Sequence, residues 1–188
     1  MKNKYKILGL NQEFGNEKFR LVPIRFEDRF DIMKWRNEQI YHLRQNKPLN
    51  FEDQNRYFQN VIANLFNQDK PDQILFSFLQ GNTCIGYGGL VHINWLDLNA
   101  EISFIMNAEL EEINFEVLWI NYLELIEQVA FKNLNLHKIY TYAFDLRPRL
   151  YIALEQVGFL EDARLKEHCF IQNDYLDVVI HSKWNVKS

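Results

Sequence analysis

Residues 115–134 carry the most restrictive pattern in the chain. Phe115, Leu118, Trp119, Tyr122, Ile126, Val129, Ala130 and Leu134 fall on one helical stripe, with Asn114 placed as an N-cap. Strand-like segments flank it, residues 100–107 (AEISFIMN) before and residues 138–144 (KIYTYAF) after. A strand, a long helix and a strand in succession make a crossover. A crossover in a chain that also contains hairpins implies a mixed sheet flanked by helices.

The hairpins are equally legible. Residues 74–79 (ILFSFL) and 83–93 bracket the tight turn Gly81-Asn82. Gly86, Gly88 and Gly89 inside the second of these strands point to a bulge or a close backbone approach. Residues 159–171 and 175–184 form a second hairpin around Asn173-Asp174. Upstream, residues 18–26 read as a first strand, with Pro23 favouring an edge. Helices follow over residues 27–37, where Phe30, Met33 and Trp35 face inward, and after Asn50, a good N-cap. In that second helix Phe51, Tyr57, Phe58, Val61, Ile62, Leu65 and Phe66 keep a helical period. Pro148 suits the first turn of a short helix that Gly158 ends. The order β-α-α-β-β-β-α-β-α-β-β predicts an α+β fold in one domain, residues 1–188, with residues 1–17 as an N-terminal extension.

Charge narrows the partners. Lys and Arg number 21 against 25 Asp and Glu, a formal net charge of −4. That argues against nucleic-acid binding through bulk positive charge. Cys84 and Cys169 match no ligand spacing, so reduced, buried thiols and no structural metal are expected. Met1–Gly9, with Lys2, Lys4 and Lys6, has no apolar stretch behind it, and no run approaches a membrane span. A cytoplasmic protein with no membrane role is expected. Aromatic residues reach 15%, which permits an exposed apolar surface and a homodimer, whereas there are only seven glycines.

Several segments carry a resemblance in their order and spacing. They are Trp35-Arg36-Asn37, the hairpin 81–89 (GNTCIGYGG), Ala100-Glu101-Ile102-Ser103-Phe104, the pair 129–131 (VAF) and 134–139 (LNLHKI), residues 154–163 (LEQVGFLEDA) and Tyr175-Leu176-Asp177. Together they resemble the GCN5-related N-acetyltransferase (GNAT) superfamily, in particular its ribosomal-protein and nucleotide-amino-sugar N-acetyltransferases. The resemblance implies a mostly antiparallel sheet splayed between the fourth and fifth strands, with acetyl-CoA in the splay. It implies an acetyl transfer to a primary amine, here a small acceptor such as a nucleotide-linked amino sugar. A protein N-terminus is the alternative acceptor.

The resemblance also assigns residues. Ile105, Met106 and Asn107 would border the pantetheine arm, and Phe115, Glu116 and Val117 fall where the family places its pyrophosphate-binding glycines. No glycine lies between Gly89 and Gly158, and Glu109, Glu111, Glu112 and Glu116 surround the expected loop. Acids repel a phosphate and themselves suit the positive end of a helix. Arg147 and Arg149 are candidates to replace the missing loop. Glu101 is the expected base and His92 a second one, since the amine must lose a proton to attack. Tyr151 is the candidate acid for the leaving thiolate. Trp35, Arg36, Asn37, Arg44 and Gln45 would bind the acceptor through an aromatic face and a fork of donors. The same acidic, glycine-free loop also fits a non-catalytic module of this fold with a degenerate CoA site.

Overall fold

The structure is a computed structural model that describes residues 3–186; Met1, Lys2, Lys187 and Ser188 lie outside the described residues. Eight strands form one sheet. They are β1 (Phe14–Gly15), β2 (Phe19–Pro23), β3 (Ile74–Gln80), β4 (Thr83–Asn94), β5 (Asn99–Met106), β6 (Lys138–Phe144), β7 (Leu160–Ile171) and β8 (Asp174–Trp184). The spatial order is β1-β2-β3-β4-β5-β6-β8-β7. Every pair is antiparallel except β5–β6. Helices α1 (Arg29–Glu38), α2 (Phe51–Tyr57), α3 (Ala63–Leu65), α4 (Ala108–Glu127) and α5 (Pro148–Gln156) flank the sheet. The mixed α+β architecture expected from the pattern is present. The expected fourth and fifth strands are β5 and β6, because the two-residue β1 precedes them.

The aromatic content is mostly core. Phe104 stacks on Tyr122 at 3.8 Å between ring centres, and Trp119 and Phe78 meet Phe104 edge-on at 4.9 and 5.6 Å. Such pairs each add about 0.5–1.5 kcal/mol beyond area burial. The N-terminal segment is packed as well. Tyr5 is fully buried, and its hydroxyl donates to the Leu75 carbonyl and accepts from the Leu75 amide.

Local signals hold at several boundaries. The Asn50 side chain accepts from the Asp53 amide at 2.9 Å, and Pro148 opens α5. Gly158 ends the turn after α5 at φ 86°. Pro23 pairs only with Phe76, since β1 reaches no further than Leu21. The close approach at the glycines of β4 is real: a Cβ at Gly88 would lie 2.0 Å from the Ser103 carbonyl oxygen.

Two expectations need adjustment. The helix expected from Phe115 does follow a break at Asn114 (φ −125°, ψ 23°), but a further helical segment precedes it, so that α4 starts seven residues earlier, at Ala108, capped by the Asn107 side chain accepting from the Glu109 amide at 2.9 Å. α4 is thus two helical segments joined at a kink. The acids of 109–112 continue the helix because they suit its positive end. The cysteines are free but half-buried rather than buried.

Candidate active site

The site forms where two neighbouring strands part. β5 and β6 pair only through Asn99–Lys138, Ala100–Ile139 and Glu101–Tyr140. Beyond that point β5 stays with β4 as far as Met106, and β6 stays with β8 as far as Phe144. Glu101 therefore sits at the fork, and a cavity of about 490 Å³ opens beyond it. Its walls come from β5, β6, α4 and the loop after α1.

Where β5 ends, the Asn107 amide donates to Ile85 of β4. The Met106 carbonyl, on the opposite side of the same trans peptide, points away from β4. It accepts from the buried Gln39 side chain at 2.7 Å.

Glu101 is buried, with 7% of its surface exposed, and both its oxygens are engaged. Oε1 accepts from Arg44 Nη2 at 2.5 Å, and Oε2 lies 2.9 Å from His92 Nδ1. The histidine contact depends on a bulge. Val91 is the cross-strand partner of Glu101, so a regular strand would send His92 to the opposite face. Between Val91 and Asn94 the register shifts, and His92 takes a left-handed φ of 49°. That bulge turns the imidazole onto the Glu101 side. Arg44 comes from the loop between α1 and α2, and its guanidinium lies over the Tyr142 ring at 4.6 Å.

Arg36 stands beside this trio. Its Nη1 donates to the Tyr87 hydroxyl at 2.6 Å and its Nε to Gln45 Oε1 at 2.9 Å. Among the described residues no carboxylate pairs with it. Asn37 clamps the loop instead of facing the cavity, donating to the Leu49 carbonyl and accepting from its amide. Gln45 donates to Asn37 and so ties Arg36 to that clamp.

Other expected residues lie elsewhere. Trp35 is 3% exposed in the core and offers no face to an acceptor, because the inward side of α1 runs through Ile32, Met33 and Trp35. Tyr151 is turned away from the cavity: its hydroxyl donates to Asp145 at 2.8 Å and its ring stacks on His181. Burial and the Asp145 carboxylate raise the phenol well above its ordinary range, which does not suit a proton donor to a thiolate. Phe115 is core, Val117 is on the exposed outer face and Glu116 pairs with Arg149 at 3.8 Å. These three open the second helical segment of α4, just after the Asn114 kink, and not the start of α4 at Ala108. Ile105 and Met106 are 3% and 1% exposed within β5, and the Asn107 side chain caps α4.

Arg147 is the basic residue that does reach the cavity. It lines the wall behind Trp119 and Leu150 and donates to Glu111 Oε1 at 3.2 Å and to His42 Nε2 at 3.3 Å. Burial, with the Arg147 charge beside it, pushes His42 down to about 3, so its ring is neutral at ordinary pH. Burial also lowers Arg147 from the usual arginine value.

Two polar groups were not anticipated. Trp119 Nε1 and Thr141 Oγ1 are buried, have no hydrogen-bond partner, and belong to side chains lining the cavity. In the pattern Trp119 reads as a core position and Thr141 simply as part of a strand. Their unmet donors become visible only when the fork is seen. Unpaired buried polar groups are uncommon and costly, about 1–3 kcal/mol each, and mark a place that a polar guest would satisfy.

A sheet that splits beside a buried carboxylate is the arrangement that the acyltransferase resemblance implies. Residues 21–180 match the model of the acetyltransferase (GNAT) domain, and the chain belongs to that family, whose members take acetyl groups from acetyl-CoA. Over 104 residues it is 33% identical to a spermidine N(1)-acetyltransferase of Vibrio cholerae serotype O1. That match covers 53% of this chain and 58% of the relative, so the chain spans less than two thirds of the curated relative's length. The fold resembles that of a spermidine N-acetyltransferase from Vibrio cholerae in complex with CoA and spermine. There the TM-score is 0.76, the identity 24% and the coverage 90% of this chain and 97% of the other. A dodecameric spermidine N-acetyltransferase from the same organism gives 0.74 and 23%, with coverage of 90% and 95%.

Two halves of the donor site differ in fit. The gap between β5 and β6, with the free Trp119 and Thr141 donors, suits a pantetheine-like chain. The start of α4 does not suit a diphosphate in the usual way, because Glu109, Glu111 and Glu112 stand there and Glu111 occupies Arg147. Among the described residues there is no group of three His, Cys, Asp or Glu side chains placed to hold a metal. Among them no helix is long and apolar enough to cross a membrane.

Proposed function

We propose that this chain transfers an acetyl group from acetyl-CoA to the primary amine of a small acceptor that also carries a negative group, a nucleotide-linked amino sugar being the first candidate. One observation carries the reading. At the fork, Glu101 binds His92 and Arg44, and Arg36 beside them has a guanidinium without a carboxylate partner. A phosphate or carboxylate on the acceptor would supply that partner bidentately.

The proton then has a route. Both Glu101 oxygens are taken, so the carboxylate orients rather than abstracts. With Nδ1–H donating to Oε2, His92 Nε2 is left with a lone pair, and the ring is 63% exposed at the cavity mouth. His92 takes the amine proton, directly or through one water. When bound, acetyl-CoA supplies the thioester that the freed amine attacks; the acetyl carbon–sulfur bond breaks, CoA leaves as its thiolate, and the proton held on His92 passes to it through solvent. Trp119 and Thr141 would hold its arm.

The named activity of the relatives favours a second acceptor, a polyamine. Arg36 opposes it, since a polycation gains nothing beside a guanidinium whose partners, Tyr87 and Gln45, are neutral. Purified protein with acetyl-CoA should be offered a nucleotide amino sugar, spermidine and a peptide with a free N-terminus, and the products weighed by mass spectrometry. Acetylation of the nucleotide sugar is expected. Acetyl-spermidine alone would establish the polyamine reading, acetyl-peptide the protein one. No product with any acceptor, and no stabilisation by CoA, would leave a binding module. The reading includes a cytoplasmic location and self-association, the latter read by sedimentation.

A further inference from the structure

An ion pair stands between the cavity and a second one beside it. The second, of about 450 Å³, lies outside the first, between the starts of α4 and α5. Arg147 lines both, so its side chain is part of the wall between them. On the outer side Arg147 meets Glu111, and the two side chains are 18% and 14% exposed. On the inner side its guanidinium lies 5.9 Å from the Trp119 ring, whose buried Nε1 is unpartnered. A chain reaching from the outer cavity to the Trp119 donor must pass Arg147.

We propose that Glu111 is an internal anion: its carboxylate holds Arg147 in place of the donor's diphosphate, and donor binding exchanges one for the other. Two observations meet here. The pair is nearly buried, where an arginine without a counter-anion would be costly. The glycine-free helix start also leaves Arg147 and Arg149 as the cations bordering the outer cavity, and Glu116 holds Arg149 as well. Glu111 thus sets a threshold. A thioester lacking an anionic group at this position cannot replace the carboxylate, and one bearing it can. The donor is thereby selected by an exchange of ion pairs, without a phosphate-cradling loop.

The inference rests on the acetyl-CoA reading, and its test separates the two. Binding of CoA and of pantetheine, which lacks the diphosphate, is measured by titration calorimetry on wild type, Glu111→Gln and Glu111→Asp. Thermal unfolding is followed with and without CoA or inorganic pyrophosphate. Glu111→Gln should bind CoA at least tenfold more tightly than wild type and pantetheine unchanged. Its melting temperature should fall without ligand and recover with CoA or pyrophosphate. Glu111→Asp, which keeps the charge on a shorter arm, should lie between. CoA binding to wild type with no gain, or a loss, in Glu111→Gln would overturn the exchange and leave the donor reading standing. No binding of CoA or pantetheine by any of the three would overturn both. Should Glu111→Gln fail to fold, Glu111→Asp decides by the same comparison.

Discussion

Gly88→Ala should be a severely damaging single-methyl change in the sheet, in the same class as Gly89→Ala, whose added carbon would lie 1.9 Å from the Ile74 carbonyl oxygen. The carbon added at Gly88 would meet the Ser103 carbonyl oxygen at 2.0 Å, the Tyr122 hydroxyl at 2.6 Å and the Phe104 Cα at 2.8 Å. Ordinary contact begins near 3.4 Å, so β4 and β5 would have to part by about 1.4 Å. Two of those three atoms are backbone and cannot rotate away. Overpacking of this kind costs about 1–3 kcal/mol. Moving Ser103 also strips the fully buried Tyr122 hydroxyl of its acceptor, now at 2.8 Å, which adds about 1–3 kcal/mol. The sum is about 4 kcal/mol, or roughly 10 °C in melting temperature for a domain of this size. Urea unfolding at constant m-value measures it. Two controls divide the effect. Tyr122→Phe removes the hydroxyl alone and should cost about 1 kcal/mol. Gly81→Ala adds a methyl where nothing lies within 4 Å, but at φ 61°, and should cost about 1–2 kcal/mol. A Gly88→Ala loss no larger than that of Gly81→Ala would refute the argument from close approach.

Other outcomes follow from the site and its supports. His42 is held neutral down to about pH 3, whereas in the unfolded chain it protonates near 6.5. Between those values the unfolded state binds the extra proton, so stability falls as pH drops, by up to about 1.4 kcal/mol per unit. His42→Asn should flatten that acid slope in denaturant titrations from pH 6.5 to 4. Arg36→Gln should raise the acceptor KM at least tenfold and leave CoA affinity unchanged; an unchanged KM would remove Arg36 from acceptor binding. Glu101→Gln should lower kcat about a hundredfold by loosening His92, within the range for acid–base groups. Asn50→Ala should cost about 1 kcal/mol through the lost cap of α2, seen in thermal unfolding.

The frame was legible because its signals are local. The stripe from Phe115 to Ala130, the Gly81-Asn82 turn, the Asn50 cap and Pro148 each act within a few residues. The break at Asn114 was legible, whereas the helical segment from Ala108 before it was missed, because the segment offers two asparagines able to cap and the acids between them read equally well as loop or first turn. Glu101 was found from its strand, but its contact with His92 rests on a bulge with positive φ, which strict alternation cannot reveal. Trp35 and Tyr151 were placed by residue type, and the burial of one and the direction of the other follow from the whole packing. Trp119 and Thr141 were hidden for the opposite reason: on pattern alone one is an ordinary stripe residue of a helix and the other an unremarked strand position.

The hydrogen bond from Gln39 to the Met106 carbonyl joins two things that chemistry keeps apart. Gln39 ends α1 and begins the loop that carries Arg44 and Gln45, whereas Met106 ends β5, the strand that borders the gap. Ordering one side therefore helps order the other. A ligand that settles the strand edge also restrains the loop, and the entropy spent on the first guest need not be spent again on the second. The two substrates of such an enzyme would not bind as strangers; whichever arrives first prepares the seat of its partner.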